Sequence, residues 1–339
     1  MVYRAILMMA VAFVLAGCNN GEQMNYVNSA DQAPATTQPL GGGNIEAQAR
    51  DVIKSALRDE NAMVRTNAVE VVAATKQSQL MDDVTDLLTD ERVPVRFSAL
   101  LAVGDMNYRR AKNKVESMFT DENQNVKMAV AYAMEKLGDG NYQELYKKWL
   151  KSPDQTVRAN AALLLGKMGD KSAIPLLQST LTDPQSTDQV RYQVVEAMAM
   201  LKDEKVYSKI WTMLISAFAD VRVMGIRSMG ALGTMQARNA MVTLLDDDVV
   251  EVRLAAAEQL AASGESTGDI VVIEYLQGKG TNAADSSNER AKMLAALAIG
   301  QIGTEHLTSY LPGLLKSQSK MVQLAAAKSV LILANKRTE

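Results

Sequence analysis

The chain has 339 residues, 36 of them basic and 39 acidic, for a net charge of −3 and a pI near 5.5. That balance argues against a nucleic-acid partner, which calls for a basic patch, and no such patch recurs here. One cysteine, Cys18, excludes an internal disulfide; one histidine, His306, excludes a zinc site of about four His and Cys ligands.

Residues 1–4 carry a single basic side chain, Arg4, and residues 5–17, AILMMAVAFVLAG, carry no charge. As a helix this run reaches about 20 Å, short of the roughly 30 Å of a bilayer core. A basic start, a short apolar core and small residues at a cut site read as a secretory leader. The run ends Leu15-Ala16-Gly17-Cys18, which resembles the lipobox of bacterial lipoproteins. The resemblance implies a diacylglyceryl group on the Cys18 thiol and cleavage just before it; an ordinary leader with a chance cysteine is the alternative. Two acyl chains hold a protein stably on a leaflet where one does not. Asn19 stands where, by analogy with Gram-negative lipoproteins, an aspartate would signal inner-membrane retention. The expected location is therefore the outer membrane, facing the periplasm.

Residues 19–44, rich in Asn, Gln, Thr, Pro and Gly, offer little to bury. They read as a tether spanning on the order of 30 Å. The expected division is a leader over 1–17, a lipidated cysteine and tether over 18–44, and a folded body over 45–339.

The body repeats. A Val-Arg pair recurs as Val64-Arg65, Val95-Arg96, Val126-Lys127, Val157-Arg158, Val190-Arg191, Val221-Arg222 and Val252-Arg253, at spacings of 31, 31, 31, 33, 31 and 31. Glu289-Arg290 and Val322-Gln323 extend the series to nine units. In the fourth, NYQELYKKWLK forms a first helix. Ser152 suits an N-cap, Pro153 the first helical position and Gln155 a capping box. Val157, Ala161, Leu164, Leu165 and Met168 then fall on one helical face, and Gly169 ends the helix. A lone hairpin of this size cannot cover its apolar face, but stacked hairpins can. The pattern resembles HEAT repeats, in the short form also found in phycobilin lyases. It implies an all-α fold, a right-handed α-solenoid of about nine helical hairpins.

In HEAT repeats a turn aspartate and a second-helix arginine form a ladder between units. The resemblance carries that role to Arg65, Arg96, Lys127, Arg158, Arg191, Arg222 and Arg253. Asp59, Asp90, Asp121 and Asp247 stand six residues before their basic partners; Ser152, Gln185 and Ser216 hold that position in other units. The competing reading, a basic row for an acidic ligand, fits poorly with a pattern present whatever the unit's surface. Lys167 is expected to face outward.

Positions one and five after each basic residue point away from the stripe that pairs the two helices. They include Phe97, Leu101, Met128, Tyr132, Leu163 and Tyr192. As an exposed strip along a concave face they would bind a partner; alternatively, stacking buries them between units. No phosphate loop, metal-ligand spacing or nucleophile motif stands out, and the insertion at 277–290 reads as a loop on one edge. The expectation is a scaffold without cofactor, metal or enzymatic role, binding an unidentified envelope protein along the concave face and the membrane through Cys18. A HEAT-like lyase or hydrolase and a purely structural envelope protein are the alternatives.

Overall fold

In the computed structural model residues 42–279 and 288–338 are described. Cys18, the leader, nearly all of the tether and the middle of the 277–290 insertion lie outside them. Among the described residues nine inner helices follow one another: Ala62–Ala74, Val93–Asp105, Gln124–Lys136, Gln155–Met168, Asp188–Met200, Ala219–Leu232, Val250–Ala262, Glu289–Ile302 and Lys320–Thr338. Each is preceded by an outer helical segment, mostly short; the first, Gly42–Ala56, is the longest of these. The inner helices are rich in Ala, Val and Leu, and nearly every such side chain is buried. They are core on all sides, as expected of helices packed between an outer layer and other inner helices.

Side-chain caps start several of them. Asn61, Asn123 and Asn288 accept backbone N–H bonds from the first turn. In the fourth unit Asp154 caps, accepting from the N–H groups of Thr156 and Val157 at 2.8 and 3.3 Å. This corrects the expectation of Ser152 as cap and Pro153 as first helical residue; both lie in the preceding turn. Gly169 ends the helix in the left-handed region at φ 83°, where a side chain would be strained.

The repeat phase holds through seven units and shifts in the eighth. The basic residue's N–H donates to the cap residue's carbonyl four positions back, as for Arg65 to Asn61 and Arg158 to Asp154. In unit eight Lys292 does this to Asn288, so Lys292 and not Arg290 is the equivalent residue. The insertion therefore adds two residues more than the Arg290 alignment implied.

The stack closes on itself. The last inner helix packs against the first outer helix, Gly42–Ala56, and the first inner helix. Lys320 pairs with Asp59, and the Asn335 side-chain amide donates to the Thr75 carbonyl at 3.1 Å. Nine units make a ring whose inner helices run parallel, with their N-termini on one edge and their C-termini on the other. This corrects the expectation of an exposed strip along an open concave face.

Candidate interaction surface

The ladder bonds differ from the six-residue pairing expected. Where the next turn offers a carboxylate 25 residues on, the arginine reaches back to the carbonyl of its own turn and forward to that carboxylate. Arg65 donates to the Asp59 carbonyl at 2.7 Å and to both Asp90 carboxylate oxygens at 2.8 and 2.9 Å. Arg96 pairs likewise with Asp121, Arg158 with Asp183, and Arg222 with Asp247. Arg253 caps the Asp247 carbonyl at 2.7 Å. Asp183 lies eight residues before Arg191 because that unit is two residues longer, so a fixed six-residue offset lands on Gln185 instead. After Lys127 and Arg191 the forward position holds Ser152 and Ser216, and Arg191 turns to Asp188 of its own helix. In unit nine Gln323 supplies the backward bond, to the Ser317 carbonyl at 2.6 Å. Asp59, which no preceding turn can serve, receives Lys320 across the seam.

Closure also decides the fate of the expected groove. Phe97, Met128, Tyr132 and Leu163 are buried, and Leu101 and Tyr192 are partly buried against the core. These residues do not form a free strip. They face the interior of the ring, where inner helices from non-adjacent units meet. Lys167 of unit four pairs with Asp105 of unit two at 2.9 Å, so Lys167 points inward as well. Tyr132 donates to the same Asp105 carboxylate. Burial raises the Tyr132 phenol well above its ordinary value, and the nearby Asp105 charge and that hydrogen bond raise it further.

The other sector of the interior is charged. Glu70, Arg227, Glu258 and Lys328 stand five residues after their units' ladder positions. Burial pushes the Glu70 carboxyl up to about 7, although the fields of Lys328, Arg227 and Lys167 oppose it. Glu258 is raised for the same reason, against Lys328 and Arg227. Glu70 keeps some accessible area, but its depth in the ring sets the penalty. Acids and bases here roughly balance, so the cluster neutralises itself and does not define an anion or cation site.

Among the exposed apolar side chains, which include Met235 at 70% and Ile270 at 57%, three fall within one unit. Trp211, Ile215 and Phe218 are 40, 68 and 73% exposed, and Val242 occupies the position of Trp211 in the next unit, also exposed. Trp211 lies on the outer helix Tyr207–Leu214, stacked at 6.5 Å on Tyr207. Ile215 and Phe218 lie in the turn that leads to the inner helix. Phe218 occupies the N-cap position, where other units place Asn61, Arg92, Asn123, Asp154, Thr187, Val249 and Asn288; like Arg92, Thr187 and Val249 it makes no side-chain cap, but it is a large apolar side chain left 73% exposed. Phenylalanine there forgoes a bond worth about 1 kcal/mol and leaves a ring in water. Residues that break a local rule without a local return mark functional positions. The period revealed the turn, but its departure from the polar cap pattern was the signal the sequence reading passed over.

His306 is exposed and lies edge-on to Tyr310 at 5.8 Å. Among the described residues no group of His, Cys, Asp or Glu is placed to hold a metal, and no helix is long and apolar enough to cross a membrane.

The repeated hairpins and their ladder define an all-α solenoid of HEAT-like repeats. Residues 142–217 match the HEAT repeats family. It is similar to a chain of the complex of CpcE and CpcF of phycocyanin lyase from Nostoc sp. PCC7120, with 20% identity over 77% of this chain and 99% of that one and a TM-score of 0.44. It is also similar to human deoxyhypusine hydroxylase in complex with glycerol, with 16% identity over 78 and 99% of the two chains and a TM-score of 0.37. No curated protein matches the sequence.

Proposed function

We propose that the chain is a lipid-anchored interaction scaffold of a bacterial envelope, which captures another envelope protein on the ridge formed by Trp211, Ile215 and Phe218. The observation that carries this reading is Phe218 in a capping position, exposed and without a cap bond. Aromatic anchors are where binding free energy concentrates, and one ridge of this kind supplies two. Burial of Phe97, Met128, Tyr132 and Leu163 favours a partner surface on the outside of the ring over one on the concave face. The lipobox-like run before Cys18 supports the anchor. Mass spectrometry of the mature amino terminus is expected to find diacylglyceryl-modified Cys18; an unmodified chain beginning elsewhere removes the anchor from the account.

Phe218→Asn tests the ridge. It should restore a cap and raise stability by about 1 kcal/mol, while a photo-cross-linker placed at Trp211 of this variant loses the protein adduct that the parent sequence gives in envelope fractions. An unchanged adduct would overturn the assignment.

A further inference from the structure

Among the described residues seven large apolar side chains are exposed, and six of them, Trp211, Ile215, Phe218, Met235, Val242 and Ile270, fall in units six to eight. The repeat itself does not call for this. Eleven residues before the ladder position, where units six and seven place Trp211 and Val242, units two to four place Thr85, Glu116 and Lys147. Outer helices run antiparallel to the inner ones. Met235 and Ile270, in the first turns of Met235–Val242 and Asp269–Leu276, therefore lie toward the edge where the inner helices end. Ile215 and Phe218, beyond the end of Tyr207–Leu214, lie toward the other edge. The six form a diagonal band across three units, with Val242 near its centre. Val242 is flanked along its own element by opposite charges. Arg238 stands one turn before it and Asp246 about one turn beyond, and neither has an ion pair among the described residues.

We propose that a second copy of the chain covers this band in a two-fold dimer whose axis passes near Val242. The inference rests on the reading of the ridge as a binding surface, and adds what masks it until a partner displaces the second copy. A two-fold contact must be self-complementary. Rotation about Val242 lays the diagonal on itself, brings the Phe218 turn onto the Ile270 end, and sets Arg238 of each copy against Asp246 of the other. The remaining charges around the band do not oppose this. Lys202, Lys205 and Lys209 outweigh Asp203 and Glu204 by one and face a balanced corner of Glu274 and Lys279. Glu265 and Asp269 face the Phe218 turn, where Asp220 and Asp248 are already paired with Arg290 and Arg222. Apolar burial supplies the affinity, and the Arg238–Asp246 pairs fix the orientation. At about 150–250 Å² per aromatic side chain, Trp211 and Phe218 bring roughly 200 Å² of exposed ring per copy, against about 800 Å² per partner in a standard interface. The convex outer face limits further contact, so the dimer is weak and reversible, as a displaceable cover must be.

The test uses the purified full-length chain in nonionic micelles kept in large excess over protein, with a photo-cross-linking residue in place of Thr243, which is exposed beside Val242. Irradiation should give a dimer-sized product in which position 243 is joined to unit seven of the second copy, with a yield that falls on dilution. Arg238→Glu and Asp246→Arg should each cut that yield about fivefold, the scale of an exposed ion pair. The double variant Arg238→Glu/Asp246→Arg should restore the parent yield, and all three melts should match the parent's. A dimer joined through other units, or one indifferent to both single charge reversals, overturns the two-fold contact. A chain that gives no dimer at any concentration, while the cross-linker in envelope fractions still captures a different protein, overturns the second copy and leaves the ridge as a capture surface. No product in either setting overturns both.

Discussion

Arg158 is 1% exposed and donates to the Ser152 carbonyl, the Asp183 carboxylate, Ser186 and Gln185, so it fastens two units at once. Arg191 is more exposed and pairs only with Asp188 and one carbonyl of its own unit's turn. Breaking a buried pair costs about 3–5 kcal/mol, whereas exposed pairs contribute under about 1. Arg158→Ala should therefore lower the denaturation midpoint strongly and Arg191→Ala weakly; comparable losses in urea titrations would contradict a ladder built on forward carboxylates. Glu70 gives a second residue-scale outcome. Its folded carboxyl titrates near 7, against an ordinary value of 4.5. Between those values the folded chain holds a proton that the unfolded chain has lost, so stability falls as pH rises through that window. Glu70→Gln should flatten this fall and leave the variant more stable than the parent above pH 7, by about 1–3 kcal/mol. Equal pH slopes in the two chains would show that Glu70 is not held in a desolvated interior. Glu258, shifted in the same direction, remains to contribute some slope.

Successive inner helices approach closely because small residues line their contacts. A Cβ added to Gly166 would lie 2.7 Å from the Ala197 Cα, a backbone atom that cannot move alone. Alanine favours a helix over glycine by about 1 kcal/mol, yet overpacking costs about 1–3 kcal/mol. Gly166→Ala should thus destabilise on balance, as read by the thermal midpoint; a higher midpoint would mean that the helices can part without loss. The same scale shows what the sequence could reveal. Helices, period and the recurring basic residues follow from spacing, because each unit solves the same packing problem; their ladder role comes from the resemblance to HEAT repeats. The cap at Asp154 was missed because Ser152-Pro153 is an equally good local start, and only the stacked neighbour decides between them. Lys292 was missed because Arg290 preserves the residue pattern while the helix phase moves by two. The forward ladder bonds, 25 residues long, depend on how units sit side by side, which a six-residue offset within one turn does not contain.

At the scale of the whole molecule, curvature governs function. A small rotation per unit, invisible in any one hairpin, accumulates over nine units until the last helix reaches the first. Phe97, Met128 and Tyr132 look the same in sequence whether they line an open groove or a closed interior; in the ring they are buried, while Trp211, Ile215 and Phe218 stay exposed on its outside. The seam is a helix-packing contact of the last inner helix on the first two helices, with a polar pair at each edge. Lys320 meets Asp59, which has no ladder partner of its own, and Asn335 meets Thr75 at the other edge. The direct measurement is zero-length carbodiimide coupling of the protein at low concentration, followed by peptide mass spectrometry. The closed ring predicts an intramolecular amide between Lys320 and Asp59, 261 residues apart in sequence, alongside the local Lys112–Asp139 product as a control. At about 9–10 Å per packed layer, an open stack of nine units separates its ends by roughly 80–90 Å. Recovery of the Lys112–Asp139 amide without any Lys320–Asp59 amide would contradict the ring.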